Sequence, residues 1–478
     1  MVAGPILAAP PDVSPFPIMR PDPNAPTPVS RVVVDVIEEP APVAETPDIS
    51  SRSPEIEDDT PPSELAVSTS PFPTIRGEVP AVFAARAARL RAIAEAEEAA
   101  RRQTAEGFRD WLLDFRDRAL EEGIERATFN AAFDGVELDQ QILDLDRNQA
   151  EFSRALWDYL DRAVSPTRVR NGTEMLDEWR TTLGNIEERF QVEAEVVVAI
   201  WGLESAYGAA RGNANVIEAM ATLAYEGRRQ AYFETELLAA LSILQDGQTE
   251  PENMRGSWAG AMGHTQFMPT SYLEYAQDYR DDGIRDIWSD NPQDALASTA
   301  HYLAEHGWTY GQPWGLEVQL PEGFDYRLAG EQERITAGFW NGVGVRLVNG
   351  DPVPDHGPAS ILLPAGAQGV ALVVYNNFRV IERYNPADAY VIAVGHLSDR
   401  ITGDEAFRAD WPRGDRALQF AERQEMQEYL QALGHYEGNI DGLVGPVTIA
   451  ASRAFQVEQG LLPDGYASTS LLDRLRNG

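Results

Sequence analysis

The sequence predicts a mainly α-helical protein, with a long helical domain, a small β-rich insertion late in that domain, and a compact three-helix module at the C-terminus. Three observations predict it. Apolar residues recur at helical intervals from residue 107 to Trp308, as in Phe108, Trp111, Leu112, Phe115 and Ala119. From about 309 to 380 the pattern changes to Gly, Pro and short alternating β-branched runs. Beyond residue 415, three short amphipathic segments are separated by turn residues.

Taken in order, residues 1–80 hold more than half of the 32 prolines, with too little apolar surface to offset chain entropy. They read as a disordered spacer. The opening residues do not read as a secretion leader, since no basic residue precedes Arg20 and the apolar run Ile6–Ala9 stops at Pro10. Residues 81–106 switch to Ala, Arg and Glu and read as a helical lead-in. The main domain, 107–402, reads as helices at Met175–Arg189, Val192–Tyr207, Val216–Gly227, Ala231–Gln245 and Gln293–His306. Strands are expected at Leu316–Leu320, Val343–Leu347 and Leu372–Tyr375, then one more helix at about Ala387–Arg400. In the module 415–478, Leu418, Met426, Leu430 and Leu433 form the first apolar stripe. Pro446 sits at the first turn of the second helix, Gly460 ends it, and Ser468 caps the third.

Composition excludes whole classes of chemistry. There is no cysteine, so thiol nucleophiles, thiolate metal sites and disulfides are absent. There is no lysine either, which removes Schiff-base and phosphate-loop lysines. With 76 acidic against 39 basic residues the net charge is −37, a poor match for nucleic acid or an acidic membrane. No run reaches the roughly 18 apolar residues that span a bilayer.

The most informative segment is Val196–Gly208, which reads VVVAIWGLESAYG. On a helix, Glu204 lies one turn beyond Ile200 and Trp201 and two turns beyond Val196 and Val197, so its carboxylate shares the apolar stripe. Desolvation disfavours the charged form. At an ordinary pKa of about 4.3, roughly one Glu in 500 is protonated at pH 7, whereas a pKa of about 6 makes it roughly one in ten. Such a group can serve as general acid and then base. A buried Glu–Arg structural pair is the alternative reading of this stripe alone. The second segment, Gly256–Ser271, reads GSWAGAMGHTQFMPTS and is rich in glycines that permit close backbone approach to a ligand.

The pairing of WGLESAYG at 201–208 with GAMGHTQFMP at 260–269 resembles the B-type lytic transglycosylases of bacterial cell walls. The resemblance covers about 107–402. The DGLVGPVT stretch at 441–448 separately resembles a small peptidoglycan-binding domain. The resemblance implies a lysozyme-like fold and cleavage of the β-1,4 bond between N-acetylmuramic acid and N-acetylglucosamine without water. Glu204 would protonate the leaving oxygen, then take the proton of the muramoyl C6 hydroxyl as it closes a 1,6-anhydro ring. By position, Ser257, Gln266 and Phe267 would line the sugar cleft, while Tyr302, Tyr384, Asn385 and Tyr390 would contact the glycan, with Tyr159 at the cleft edge. Arg228 and Arg229 would meet stem-peptide carboxylates. No cofactor is implied. The expected partners are peptidoglycan glycan strands and, through the spacer, proteins of the cell-wall machinery, and the expected location is the periplasm.

Three departures from the family pattern stand out. His264 replaces a common aromatic, and Asn385-Pro-Ala387 replaces Asn-x-Ser. Some members bind calcium in a loop matching 278–294, where Asp278, Asp282 and Asp294 could ligate, but Arg280 stands where an oxygen donor is wanted. The expectation is no metal, and micromolar binding in a calorimetric titration would contradict it. Competing readings also remain. A zinc amidase needs converging histidines, but only His301 and His306 are close, and five residues apart they face different ways. A hydrolytic muramidase needs a second carboxylate, for which Glu226 and Asp246 stay open. A non-catalytic wall-binding scaffold is the third.

Overall fold

The computed structural model describes residues 104–148 and 155–477. The proline-rich stretch 1–80 and the lead-in up to residue 103 lie outside the described residues. The first turns of a helix at 104–121 (α1), up to Phe115, belong to one compact unit, and the chain from Arg116 onward belongs to the other. Within the first, Phe108, Trp111 and Phe115 stack in sequence along the helix.

The larger unit is built mainly from helices: α2 (Arg126–Ala132), α3 (Gln140–Asn148), α4 (Leu156–Ala163), α5 (Pro166–Glu178), α6 (Arg180–Phe190), α7 (Ala194–Ser205), α8 (Val216–Glu226), α9 (Gln230–Gln245), α10 (Pro269–Tyr275) and α11 (Gln293–Glu305). α7 lies at their centre, against α5, α6 and α11 and against α14 (Asp388–Thr402). Every residue from Val196 to Ser205 is buried. A helix that is apolar all round belongs in an interior. There, packing outweighs the weak helix preference of three consecutive valines.

The sequence stripe Met175–Arg189 reads as one helix, but the chain forms two, sharing Trp179 as the end of α5 and the start of α6. α5 packs on α7 and α14, whereas α6 packs on α7 and α11. A single straight rod could not follow both surfaces, and periodicity does not register such a kink.

The β-rich part is a four-stranded antiparallel sheet of β3 (Gly315–Gln319), β4 (Arg346–Leu347), β5 (Ser360–Leu362) and β6 (Ala371–Val374), in the order β4-β3-β6-β5. Its core gathers Trp340, Val345, Ile361, Val373 and Tyr375. A short helix, α12 (Ala337–Gly342), lies between β3 and β4 in sequence. Sequence reasoning assigned residues up to about 380 to this β-rich part, but α13 (Asn376–Tyr384) is already helical. Its entry is held by Asn377, whose side chain accepts from Thr309 N and donates to the carbonyls of Thr309 and Gln312.

The terminal module packs α15 (Phe420–Ala432), α16 (Pro446–Glu458) and α17 (Thr469–Asn477) around Met426, Leu430, Phe455, Leu471 and Leu475. Pro446 opens α16, and the Ser468 hydroxyl caps α17 by accepting from Leu471 N at 3.0 Å. Leu433, expected in the apolar stripe, instead follows the last turn of α15 and is exposed. The module touches the main domain where Asp464 Oδ2 accepts from Ala367 N at 3.0 Å and Tyr466 and Trp411 pack near Trp157 and Ala365.

Candidate active site

Glu204 ends the last full turn of α7 and is 1% exposed. Beyond it, Ala206, Tyr207 and Gly208 all adopt positive φ, at 50°, 60° and 87°. For non-glycine residues this conformation costs about 1–3 kcal/mol each and persists only where surroundings enforce it. The enforcing contacts are visible. Tyr207 donates its hydroxyl to Arg168 O at 2.7 Å, and the Ser205 hydroxyl accepts from Gly208 N at 2.9 Å. These left-handed residues end α7 directly after Ser205.

Tyr390, in the first turn of α14, donates its hydroxyl to Glu204 Oε1 at 2.6 Å. Tyr159 of α4 is close enough for the Glu204 charge to act on it. Burial first, and that charge second, push the Tyr159 phenol well above its ordinary range. The Tyr159 hydroxyl is buried without a hydrogen-bond partner.

The glycine-rich segment forms the adjoining wall. Two-residue strands β1 (Ala214–Asn215) and β2 (Arg255–Gly256) tie its start to the segment after α7. The Ser257 hydroxyl accepts from Ala261 N at 3.0 Å and closes the loop. Its glycines make close approaches within the protein itself. A Cβ at Gly256 would lie 2.1 Å from Ala261 O, and one at Gly263 2.3 Å from Ile287 O. At these two positions glycine admits backbone against backbone, while a Cβ at Gly260 would meet the Met220 side chain.

Gln266 itself has positive φ, at 54°. Its Nε2 donates to Arg211 O and Gly263 O at 3.1 and 2.9 Å, while its Oε1 is buried without a partner. Asn385 directly follows α13. Its Oδ1 accepts from Ala387 N at 3.1 Å, and its Nδ2 is buried without a partner. Buried polar groups normally find partners, and leaving one unpaired costs about 1–3 kcal/mol. Tyr159, Gln266 and Asn385 thus keep unspent hydrogen-bonding capacity.

The remaining candidates take supporting positions. Phe267 is fully buried, with its ring 5.9 Å from Tyr302 and 6.0 Å from Tyr384. Tyr384 donates to Thr265 O, which clamps the Asn385 end of α13 to the Gln266 turn, and Tyr302 donates to Arg383 O. Both hydroxyls are therefore spent on main chain. Arg228 and Arg229 converge on buried Asp146 of α3, and Arg228 also pairs with Glu226.

His264 does more than the sequence suggested. Trp201 Nε1 donates to its Nδ1 at 3.0 Å, which leaves the proton on Nε2 for Ser289 O at 2.7 Å. Its carbonyl accepts the Ser205 hydroxyl at 2.5 Å. Burial pushes the imidazole pKa down, so the ring stays neutral as a bracket between α7 and the glycine-rich turn. Sequence reasoning missed Arg211, whose carbonyl receives Gln266 and whose side chain pairs with Asp290. No periodicity or motif marks a loop residue used through its main chain.

Residues 107–399 match the family model described as a transglycosylase SLT domain, and residues 421–475 match a peptidoglycan binding domain. The chain belongs to the transglycosylase SLT family. Among relatives, it is 33% identical over 250 residues to membrane-bound lytic murein transglycosylase B of Escherichia coli K12, covering 51% of this chain and 66% of that protein. SltB3 from Pseudomonas aeruginosa, solved in complex with NAG-NAM-pentapeptide, is 50% identical with a TM-score of 0.76, covering 77% of this chain and 99% of that one. The E. coli lytic transglycosylase Slt35 in complex with calcium gives a TM-score of 0.54 at 29% identity, covering 61% of this chain and 92% of that one.

The loop at 278–294 gathers Asp282, Asp286 and Asp294 around Arg280. A divalent site needs converging oxygens, but the Arg280 guanidinium stands among them, with Nη2 3.2 Å from Asp294 Oδ2. A separate group, Glu331, Glu382 and Asp388, brings carboxylate oxygens within 4.8 Å of one another. Burial and the neighbouring Glu331 push the Glu382 carboxyl up to about 7 and the Asp388 carboxyl well above its ordinary range. Among the described residues, no helix is long and apolar enough to cross a membrane.

Proposed function

We propose that this SLT-family enzyme cleaves the β-1,4 bond between N-acetylmuramic acid and N-acetylglucosamine without water and leaves 1,6-anhydromuramoyl ends. Glu204 acts as acid toward the leaving oxygen and then as base toward the muramoyl C6 hydroxyl. One observation carries the reading: a buried carboxylate accepts from Tyr390 and acts on Tyr159, and the Tyr159 hydroxyl, like polar atoms of Gln266 and Asn385, is buried without a partner. Those atoms suit the hydroxyl and acetamide groups of a sugar.

A hydrolytic muramidase would need a second carboxylate opposite the first. Glu226 is tied to Arg228, and Asp246 sits exposed after the last turn of α9, which favours a single-carboxylate mechanism. The C-terminal module would hold the polymer, and the periplasm is the compartment this substrate implies. Because the chain carries a net charge of −37 and the polymer is itself anionic, short-range sugar contacts must supply the affinity. Residues 1–80 would act as the tether through which proteins of the wall machinery are reached.

Digestion of purified sacculi followed by mass spectrometry tests the reading. Wild-type products should lack one water relative to hydrolytic ones, and Glu204→Gln should abolish their release while sacculus binding stays near wild type. Hydrated products, or turnover by Glu204→Gln near the wild-type rate, would overturn it.

A further inference from the structure

We propose that Arg280 is a cation tethered to the chain, standing where a divalent ion would otherwise sit in the 278–294 loop and making the order of that loop independent of metal. The loop has the spacing of an EF-type calcium loop. Asp278, Arg280 and Asp282 fall at positions one, three and five, Gly283 at six with φ of 88°, and Asp286 at nine. Position three normally carries an oxygen donor, but here it carries a guanidinium.

The geometry makes the substitution functional. A single nitrogen, Arg280 Nη2, lies 3.4 Å from Asp282 Oδ2, 3.4 Å from Asp286 Oδ2 and 3.2 Å from Asp294 Oδ2. Three carboxylates from separate parts of the loop thus share one positive centre, which is the arrangement a bound cation would create. The other carboxylate oxygens shape the turn. Asp278 accepts from Asp282 N and Gly283 N at 3.1 and 2.8 Å, and Asp286 Oδ1 accepts from Trp288 N and Ser289 N, both at 3.0 Å. Fully buried Asp294 accepts from Tyr279 N at 3.1 Å and Asp286 N at 2.9 Å. Position twelve is Ser289, so the bidentate Glu of such loops is missing as well. Without a cation, carboxylates this close would repel one another. Arginine supplies the charge in a planar fork that can serve several oxygens at once.

The loop matters because it backs the catalytic wall. Ile287 O accepts from His264 N at 3.1 Å, and Ser289 O receives the His264 ring. The inference rests on the loop alone and is read by unfolding, so it stands or falls separately from the assignment of Glu204.

The test is thermal unfolding of the whole chain in millimolar calcium and in chelator, for wild type, Arg280→Lys and Arg280→Asn. Wild type should unfold at the same temperature in both buffers and show no micromolar calcium binding by calorimetry. Arg280→Lys, which keeps the charge, should behave the same way. Arg280→Asn restores an oxygen donor. It should lose about 5 °C in chelator and recover most of that loss with calcium. A wild-type chain stabilised by calcium overturns the proposal, and so does an Arg280→Asn chain indifferent to it. If Arg280→Asn does not fold, wild-type calorimetry and Arg280→Lys decide: calcium binding by the first, or calcium dependence of the second, is then the overturning result.

Discussion

Tyr390→Phe should change the pH dependence of cleavage more than the stability of the protein. The phenol donates to Glu204 Oε1 at 2.6 Å, and Tyr390 is 2% exposed. Phenylalanine keeps the ring and its packing and removes only the donor. A hydrogen bond to a charged group contributes about 1.5–3 kcal/mol. It favours the carboxylate over the acid, so its loss makes Glu204 hold its proton to higher pH. At about 1.36 kcal/mol per pH unit, that energy corresponds to about one to two units. In the proposed mechanism the first chemical step needs Glu204 protonated, so activity should fall as pH rises through the value at which that proton leaves. The variant's alkaline limb should therefore move up by about one to two pH units. The assay is release of soluble muropeptides from sacculi across the pH range, with unfolding midpoints measured in parallel. A limb that stays in place, or moves down, while the midpoint is unchanged would refute the pairing of Tyr390 with an acid at 204.

Two further outcomes follow from α14. A Cβ at Gly395 would lie 2.2 Å from the Trp314 indole, so Gly395→Ala should destabilise by about 1–3 kcal/mol, measured by denaturant unfolding; a variant as stable as wild type would show that the indole can shift. One turn on, burial and the nearby Asp404 and Glu195 push the Asp399 carboxyl up to about 7, despite the hydrogen bond from Trp314 Nε1 at 3.0 Å. A raised acid contributes stability that is full in acid and lost as pH rises through that value. Asp399→Asn still accepts from Trp314, so it should flatten the decline in stability between about pH 4 and 7; identical pH profiles for both proteins would refute this.

Much of the helical layout was legible because amphipathic periodicity and capping chemistry are local. Pro446 at the start of α16 and Ser468 before α17 show this directly, as does α7, whose apolar run carries Glu204 into the interior. Where local rules misled, packing had decided. The kink at Trp179 follows two different neighbours, and Leu433 left the core because α15 ends just before it. Gly256 and Gly263 were legible as a need for close approach, but not as an approach to the protein's own backbone.

By itself, the sequence determined the classes of chemistry open to this protein. The absence of cysteine and lysine, and one glutamate set in an apolar stripe, pointed to acid–base work, and the resemblance of the two motifs implied a cell-wall glycan as substrate. Only the tertiary structure decided which hydroxyls and amides keep free capacity and which are consumed by main chain. Tyr302 and Tyr384 look like Tyr159 in sequence, yet their hydroxyls are bound to carbonyls brought close by distant segments. The same holds for Arg280, whose role depends on Asp286 and Asp294 folding back to meet it. Hydrogen bonds and ion pairs act over a few ångströms, so their partners are set by chain crossings that no local pattern encodes.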